Sequence, residues 1–366
     1  MASNGSAPVS EKPNRAFVLL PDRSFVYEDR TVSTSLSGRD VQVKVIATGI
    51  CGSDVHYWQH GRVGPYEVTK PIILGHESSG IVEACGPDVK NLSVGDRVAL
   101  EPGASCNTCK HCRSGKYNLC KSMKFAATPP FDGTLATYYN LPEECCFRLP
   151  ENMSFEEGAL IEPLSVAVHC CKLAAITQGA SVLVTGAGPI GLLVCAVARA
   201  FGASTIVVAD IVESRLAFAK KYAATHTYLI KPGKSSLAEE LPSQLDLPDG
   251  FDIIIEATGV EACTQDGVAV LNRGGTFIQA GLGSSSISFP VGLICDKEAT
   301  FKGSFRYGPG DYGLAIELVR KGAVSVKELV THRFSFEEAE VAFQTVTKRE
   351  GIKCIIRGPK SIHACL

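Results

Sequence analysis

The chain has 366 residues, room for two domains of about 150 residues each with some surplus. Apolar residues make up 45% and charged residues 20%, a globular composition that excludes a disordered chain. Thirty-six Lys and Arg against 38 Asp and Glu leave a net charge of −2, so nothing favours a polyanion such as nucleic acid or an anionic membrane surface.

The opening residues, MASNGSAPVSEKPNR, lack the apolar core of a secretory signal, and their single Arg is too little for a transit peptide. The expectation is a cytoplasmic protein whose 15 cysteines stay reduced, so that clusters of them point to metal before disulfides. The first half reads as short β-branched runs, at 41–46, 79–83 and 97–100, separated by Gly, Pro and Asp. That pattern predicts an irregular antiparallel β domain. From residue 179 the style changes. Strands at 182–185, 205–209, 251–256 and 275–280 alternate with helices at 190–201 and 213–223, which predicts an α/β doubly wound parallel sheet. After residue 300 the pattern is mixed and ends in a strand at 352–357. A nucleotide domain between two parts of one catalytic domain is therefore expected. Residues 181–200 are almost uncharged, but Gly186, Gly188, Pro189 and Gly191 would break a spanning helix. They read as buried strand, glycine turn and buried helix, so no membrane partner is expected. At the other end, Ala364-Cys365-Leu366 matches neither a prenylation box nor a good peroxisomal signal.

Three groups of residues carry chemistry. Gly186-Ala-Gly188-Pro189-Ile190-Gly191 follows an apolar strand and opens a helix, and Asp210 ends the next strand. Glycines let the backbone approach a pyrophosphate, and the helix N-terminus favours its charge. Asp210 can accept from both ribose hydroxyls and would repel a 2′-phosphate, which favours NAD over NADP. Cys106, Cys109, Cys112 and Cys120 lie within fifteen residues and can close around one tetrahedral ion. Four thiolates suit a structural zinc, though an iron–sulfur cluster uses the same ligands. Cys51, His76, Glu77 and Glu162 come from three separated loops. Soft, borderline and hard donors together suit zinc with a position left for water or alcohol; each residue also has a bland reading as buried thiol, core histidine or surface carboxylate.

The stretches GICGSDVHYWQHG, LGHESSG, VGDRVALEPG, the four-cysteine lobe, IEPLSVAVH, VTGAGPIG and THRF together resemble the zinc-dependent medium-chain dehydrogenases, in family order. Within that family the chain is most similar to the polyol dehydrogenases, which act on sorbitol, xylitol or L-arabinitol. Glu162 stands where many alcohol dehydrogenases of the family carry a third zinc-binding cysteine. Gly303-Ser304-Phe305-Arg306-Tyr307 matches the polyol branch, and 125–130 and 305–312 look most like fungal xylitol dehydrogenases. Some polyol enzymes lack the structural cysteines, whereas all four are present here.

The resemblance implies a GroES-like irregular β catalytic domain at 1–163, completed by 302–366, and a Rossmann domain at 164–301. It implies two zinc ions per subunit. One would be held by the four-cysteine lobe. The other would be held by Cys51, His76 and Glu77, with Glu162 on the metal or on its water. Ser53 and His56 would relay a proton; Tyr57, Glu162, Arg306 and Tyr307 would contact a polyol. Ile190, Asp210, Arg215, Ala280, Gly281, Leu282, Ser304, Phe305 and Arg306 would contact the cofactor. The implied reaction oxidises a secondary hydroxyl of a polyol to a ketose with NAD, xylitol to D-xylulose first. Sorbitol (L-iditol) 2-dehydrogenase and L-arabinitol 4-dehydrogenase activity are the alternatives, and a non-catalytic NADPH-binding crystallin-like protein is a third. The partner is a small-molecule polyol, and the branch implies a homotetramer.

Overall fold

The computed structural model describes residues 10–231, 237–245 and 247–360; the tail before residue 10 and the terminal Ala364-Cys365-Leu366 lie outside the described residues. The chain forms two compact units. One runs to Glu162 and resumes at Lys327; the other is Pro163–Val326.

The first unit is built on a mostly antiparallel sheet, in the order Cys146–Arg148, Arg97–Leu100, Glu77–Cys85, Asp40–Gly49, Lys353–Arg357 and Val330–Phe334. Tyr138–Pro142 also pairs with Asp40–Gly49. Alternation explains the central strand: Val41, Val43, Val45 and Ala47 recur every second residue and are all buried, the period-2 signature of one face on a core. The C-terminal strand Lys353–Arg357 pairs antiparallel with that same strand, so the end of the chain completes the unit that its beginning started. A smaller sheet of Phe25–Ser33, Glu11–Leu19 and Ile72–Ile73 joins a core containing Phe17, Leu74 and Phe343.

The second unit is a six-stranded sheet: β1 (Ser181–Thr185), β2 (Thr205–Asp210), β3 (His226–Leu229), β4 (Phe251–Glu256), β5 (Leu271–Gln279) and β6 (Thr300–Gly303). The order is β3-β2-β1-β4-β5-β6, with every pair parallel. This is the doubly wound order, with its reversal between β1 and β4. The apolar stretch at 181–200 is β1, a glycine turn and the helix Pro189–Ala200. Among the described residues no helix is long and apolar enough to cross a membrane.

The return to the first unit, expected at 302, is at Lys327. The short edge strand β6 extends the parallel sheet, and the helix Asp311–Arg320 follows it in the same unit. All four residues of β6 are exposed, so it lacks the apolar run that marked the inner strands.

Candidate metal centres and cofactor crevice

Cys51 stands at the N-terminus of the helix Gly52–His60; His76 immediately precedes, and Glu77 begins, the strand that pairs with Asp40–Gly49. Gly75, at φ +86°, turns the chain just before them; a Cβ there would approach Leu135 Cγ to 2.8 Å. Asp54 ties the two loops together. Its carboxylate accepts from Cys51 N and Gly75 N, each at 3.1 Å, and lies 3.4 Å from His76 Nδ1. That leaves His76 Nε2 as the free ligand nitrogen. Burial opposes charging of His76, but the Asp54 carboxylate and then Cys51 hold its pKa well above the ordinary imidazole value.

One ligand atom from each of Cys51, His76 and Glu77 lies within 4.8 Å of the others. Beneath them Lys353, buried from water, donates to Glu77 Oε1 at 2.6 Å and to Ile50 O at 3.0 Å. Its ammonium also contacts Glu77 Oε2, yet Oε2 receives no directed hydrogen bond. Proximity gives charge compensation there without satisfying the lone pairs. A buried, under-satisfied carboxylate oxygen beside a thiol and an imidazole nitrogen fits a divalent cation, and sulfur, nitrogen and oxygen donors together fit zinc. Glu162, also buried, is not one of the three grouped residues; its charge acts on Lys353.

The second centre fits zinc on distances alone. Sγ atoms of Cys106, Cys109, Cys112 and Cys120 cluster within 4.8 Å, with Cys109–Cys112 at 3.5 Å and Cys106–Cys112 at 3.9 Å. A tetrahedron with Zn–S bonds near 2.3 Å places sulfurs about 3.8 Å apart. Hydrogen bonds from Thr108, backbone first and then hydroxyl, and from the Cys109 backbone lower the Cys106 thiol to about 6. Burial, with the neighbouring thiols adding to it, pushes Cys112 up to about 11. Four sulfurs this close cannot all ionise without a cation among them.

Ser53 and His56 lie on the same face of the helix Gly52–His60, three residues apart. His56 is exposed. Burial and then His60, whose ring centroid is 5.4 Å away, lower its pKa. Tyr57, expected to contact substrate, is 4% exposed and packs in the core of the first unit.

In the second unit the cofactor candidates gather at the carboxyl ends of the strands. Gly186, Gly188, Pro189, Ile190 and Gly191 follow β1; Asp210 ends β2 and Arg215 follows it. Ala280, Gly281 and Leu282 follow β5, and Ser304, Phe305 and Arg306 follow β6. All stand at carboxyl ends of parallel strands, where open α/β sheets bind ligands. Gly186 has φ +97°, and Gly188 and Pro189 occupy the N-cap and first turn of the helix. Asp210 accepts from Ala187 N at 2.7 Å and Val212 N at 2.8 Å. It thus closes the glycine turn and keeps further lone pairs for ribose hydroxyls.

Arg306 adopts φ +57°, with its guanidinium 4.7 Å from the Phe305 ring centre. Tyr307 is buried, its ring edge-on to Tyr312 with centroids 5.1 Å apart. Asp311 anchors this turn: it accepts from Gly308 N at 2.6 Å, Lys172 Nζ at 2.6 Å and His169 Nδ1 at 2.9 Å. Sequence reasoning missed Asp311, Asp54 and Lys353. Asp54 lay within a quoted motif, but Lys353 is 276 residues from its partner and carries no local signal.

Known proteins resemble this chain in both units. The family model described as alcohol dehydrogenase GroES-like domain matches residues 37–151, and the one described as zinc-binding dehydrogenase matches 189–321. D-xylulose reductase A of Aspergillus oryzae is 52% identical over 355 residues, 96% of this chain and 99% of that protein. Among solved structures, L-idonate 5-dehydrogenase of Escherichia coli superposes with a TM-score of 0.87 at 26% identity, covering 96% of this chain and all of that one. An E. coli alcohol dehydrogenase complexed with NADH gives 0.86 at 26% identity, over 94% and 99% of the two chains. On the matched models, the near full-length identity and the shared fold, this chain belongs to the zinc-binding alcohol dehydrogenase family, as a nicotinamide-dependent enzyme with a GroES-like and a Rossmann unit.

Proposed function

We propose that the protein oxidises a secondary hydroxyl of a polyol to a ketose with NAD, xylitol to D-xylulose ahead of other polyols. The observation that carries this reading is the Cys51–His76–Glu77 grouping with a buried glutamate at 162, on a chain 52% identical to a D-xylulose reductase. When bound, zinc lowers the pKa of a hydroxyl it holds, and the nicotinamide takes up hydride. Cys51, His76 and Glu77 would hold the ion, and the place of Glu162 outside that grouping supports its acting through water. Ser53 and His56 would lead the hydroxyl proton outward. The lowered pKa of His56 leaves it neutral at pH 7 and able to accept. Tyr57, Glu162, Arg306 and Tyr307 are the proposed polyol contacts; hydroxyl-rich substrates suit such polar groups better than a simple alcohol does.

Asp210 supports NAD over NADP. The sulfur spacing supports a second zinc per chain, and reduced, closely set cysteines support a cytoplasmic setting. The open edge of β6, with Phe301 39% exposed, supports assembly, proposed as a homotetramer. The test is NADH formation from xylitol, sorbitol and L-arabinitol. Xylitol should give the highest kcat/KM, sorbitol less and L-arabinitol least. A missing hydroxyl leaves a pocket group unpaired, at about 1–3 kcal/mol, or roughly tenfold and more in specificity. A tenfold lead for L-arabinitol would reassign the substrate, and no activity with any polyol would overturn the reading.

A further inference from the structure

The helix Gly52–His60 turns one face inward through the buried residues Asp54, Val55 and Tyr57. His56 and His60 are both exposed. They stand four residues apart, about one helical turn, the spacing that brings the two imidazoles of an H-E-x-x-H helix onto one metal. Their ring centroids are 5.4 Å apart, with the ring planes at 40°. A tetrahedral zinc with Zn–N bonds of about 2.0–2.1 Å, held by one nitrogen of each ring, places the ring centres about 5 Å apart. The two rings are therefore at chelating distance. On an exposed histidine the broad χ2 torsion is free to aim a nitrogen at the shared ion.

The rings of His76 and His169 are fixed by Asp54 and Asp311. Among the described residues, those of His56 and His60 meet each other and have no hydrogen-bond or ion-pair partner. A histidine in the last turn can serve the helix dipole as a cation. Two imidazolium ions this close repel, however, and burial and then His60 lower the pKa of His56. That keeps the His56 lone pair open to a Lewis acid. Neither histidine belongs to the Cys51–His76–Glu77 group or to the four-cysteine lobe. With two protein ligands the rest of the coordination sphere is water, so an ion here is held less firmly than one with three or four. Imidazole selects zinc, copper or nickel over magnesium or calcium.

We propose that His56 and His60 form a third metal site, a surface chelate for a divalent transition ion such as zinc or nickel. Its consequence rests on the relay role proposed for His56. A neutral imidazole has one acceptor nitrogen, so an ion there leaves none for the substrate proton. Metal in excess of the two centres would then inhibit the enzyme.

Calorimetric titration of nickel into the zinc-loaded protein at about pH 8, above the ordinary imidazole range, tests the site. The native chain should take up one nickel beyond its zinc. His60→Gln and His56→Ala should each weaken that uptake about tenfold or more, since one of two protein ligands is gone. Unchanged nickel affinity in either folded variant overturns the site, as does a native chain that takes up none; should one variant fail to fold, the other decides. Nickel should also slow NADH formation from xylitol, half-inhibiting at the concentration that half-fills the site, with relief by free imidazole. If nickel binds without inhibiting, the site stands and the relay role of His56 falls. If no polyol is oxidised at all, the functional reading fails and calorimetry still decides the site.

Discussion

Asp210 serves two ends at once. Its oxygens hold Ala187 N and Val212 N, so its removal orphans two backbone donors and takes away the proposed ribose partner. Asp210→Ala with Ile211→Arg should shift preference toward NADP, read as the ratio of kcat/KM for the two cofactors. The same protein should lose about 1–3 kcal/mol of stability for each donor left buried, read by urea unfolding. Lys353 gives a second test. Burial pushes its ammonium pKa down, but Glu77 and then Cys51 more than restore it. Lys353→Met would leave Glu77 charged and alone, at about 3–5 kcal/mol. Loss of stability together with loss of zinc from the first unit is the expected result; full zinc retention would show that Lys353 does not support the ligand set. His56 is held down by burial and by His60. His60→Ala therefore raises the His56 pKa, so protonation blocks proton acceptance at a higher pH. The acid limb of the kcat/KM profile should move upward, and a fixed limb would remove His56 from the relay.

At the scale of elements, the four-cysteine lobe and the turn at Arg306 differ in what they do. The lobe offers four sulfur ligands and no open position, so it acts on stability. With the proposed two zinc ions per chain, Cys109→Ser should bring the content toward one and lower Tm more than kcat. The turn is held by Asp311, whose pKa is lowered because His169, Lys172 and Gly308 N outweigh its burial. A depressed carboxylate pKa stabilises the fold above the unfolded value near 4 and ceases to as pH falls through the folded value. Asp311→Asn should therefore flatten the acid unfolding transition. It should also raise KM for every polyol by loosening Arg306, a proposed polyol contact. The four inner strands and the helices Pro189–Ala200 and Glu213–Tyr222 of the second unit were readable because each is local: buried apolar runs of five or six residues, a glycine turn, a buried helix. The edge strands β3 and β6 were not, since partly or fully exposed residues on an edge carry no burial pattern.

For the whole molecule, the fold class and the family were legible in the sequence. An open parallel edge presents unpaired backbone groups and Phe301, a surface that a second copy can cover. Sedimentation should give four times the chain mass, and Phe301→Asp should lower it; a native monomer would refute the assembly.

The sequence by itself determined the chemistry available: which residues offer metal ligands, where glycines open a helix N-terminus, and which acid ends the neighbouring strand. These are set by residue type and short spacing, and physics within a few residues suffices to read them. Only the tertiary structure decided how distant residues were used. It brought Lys353 under Glu77 and Asp54 onto His76. It set Asp311 against His169 and Lys172. Each is a polar or charged group taken out of water, where an unpaired partner is costly. Such partners are chosen by proximity in the folded chain, which spacing along the sequence does not encode.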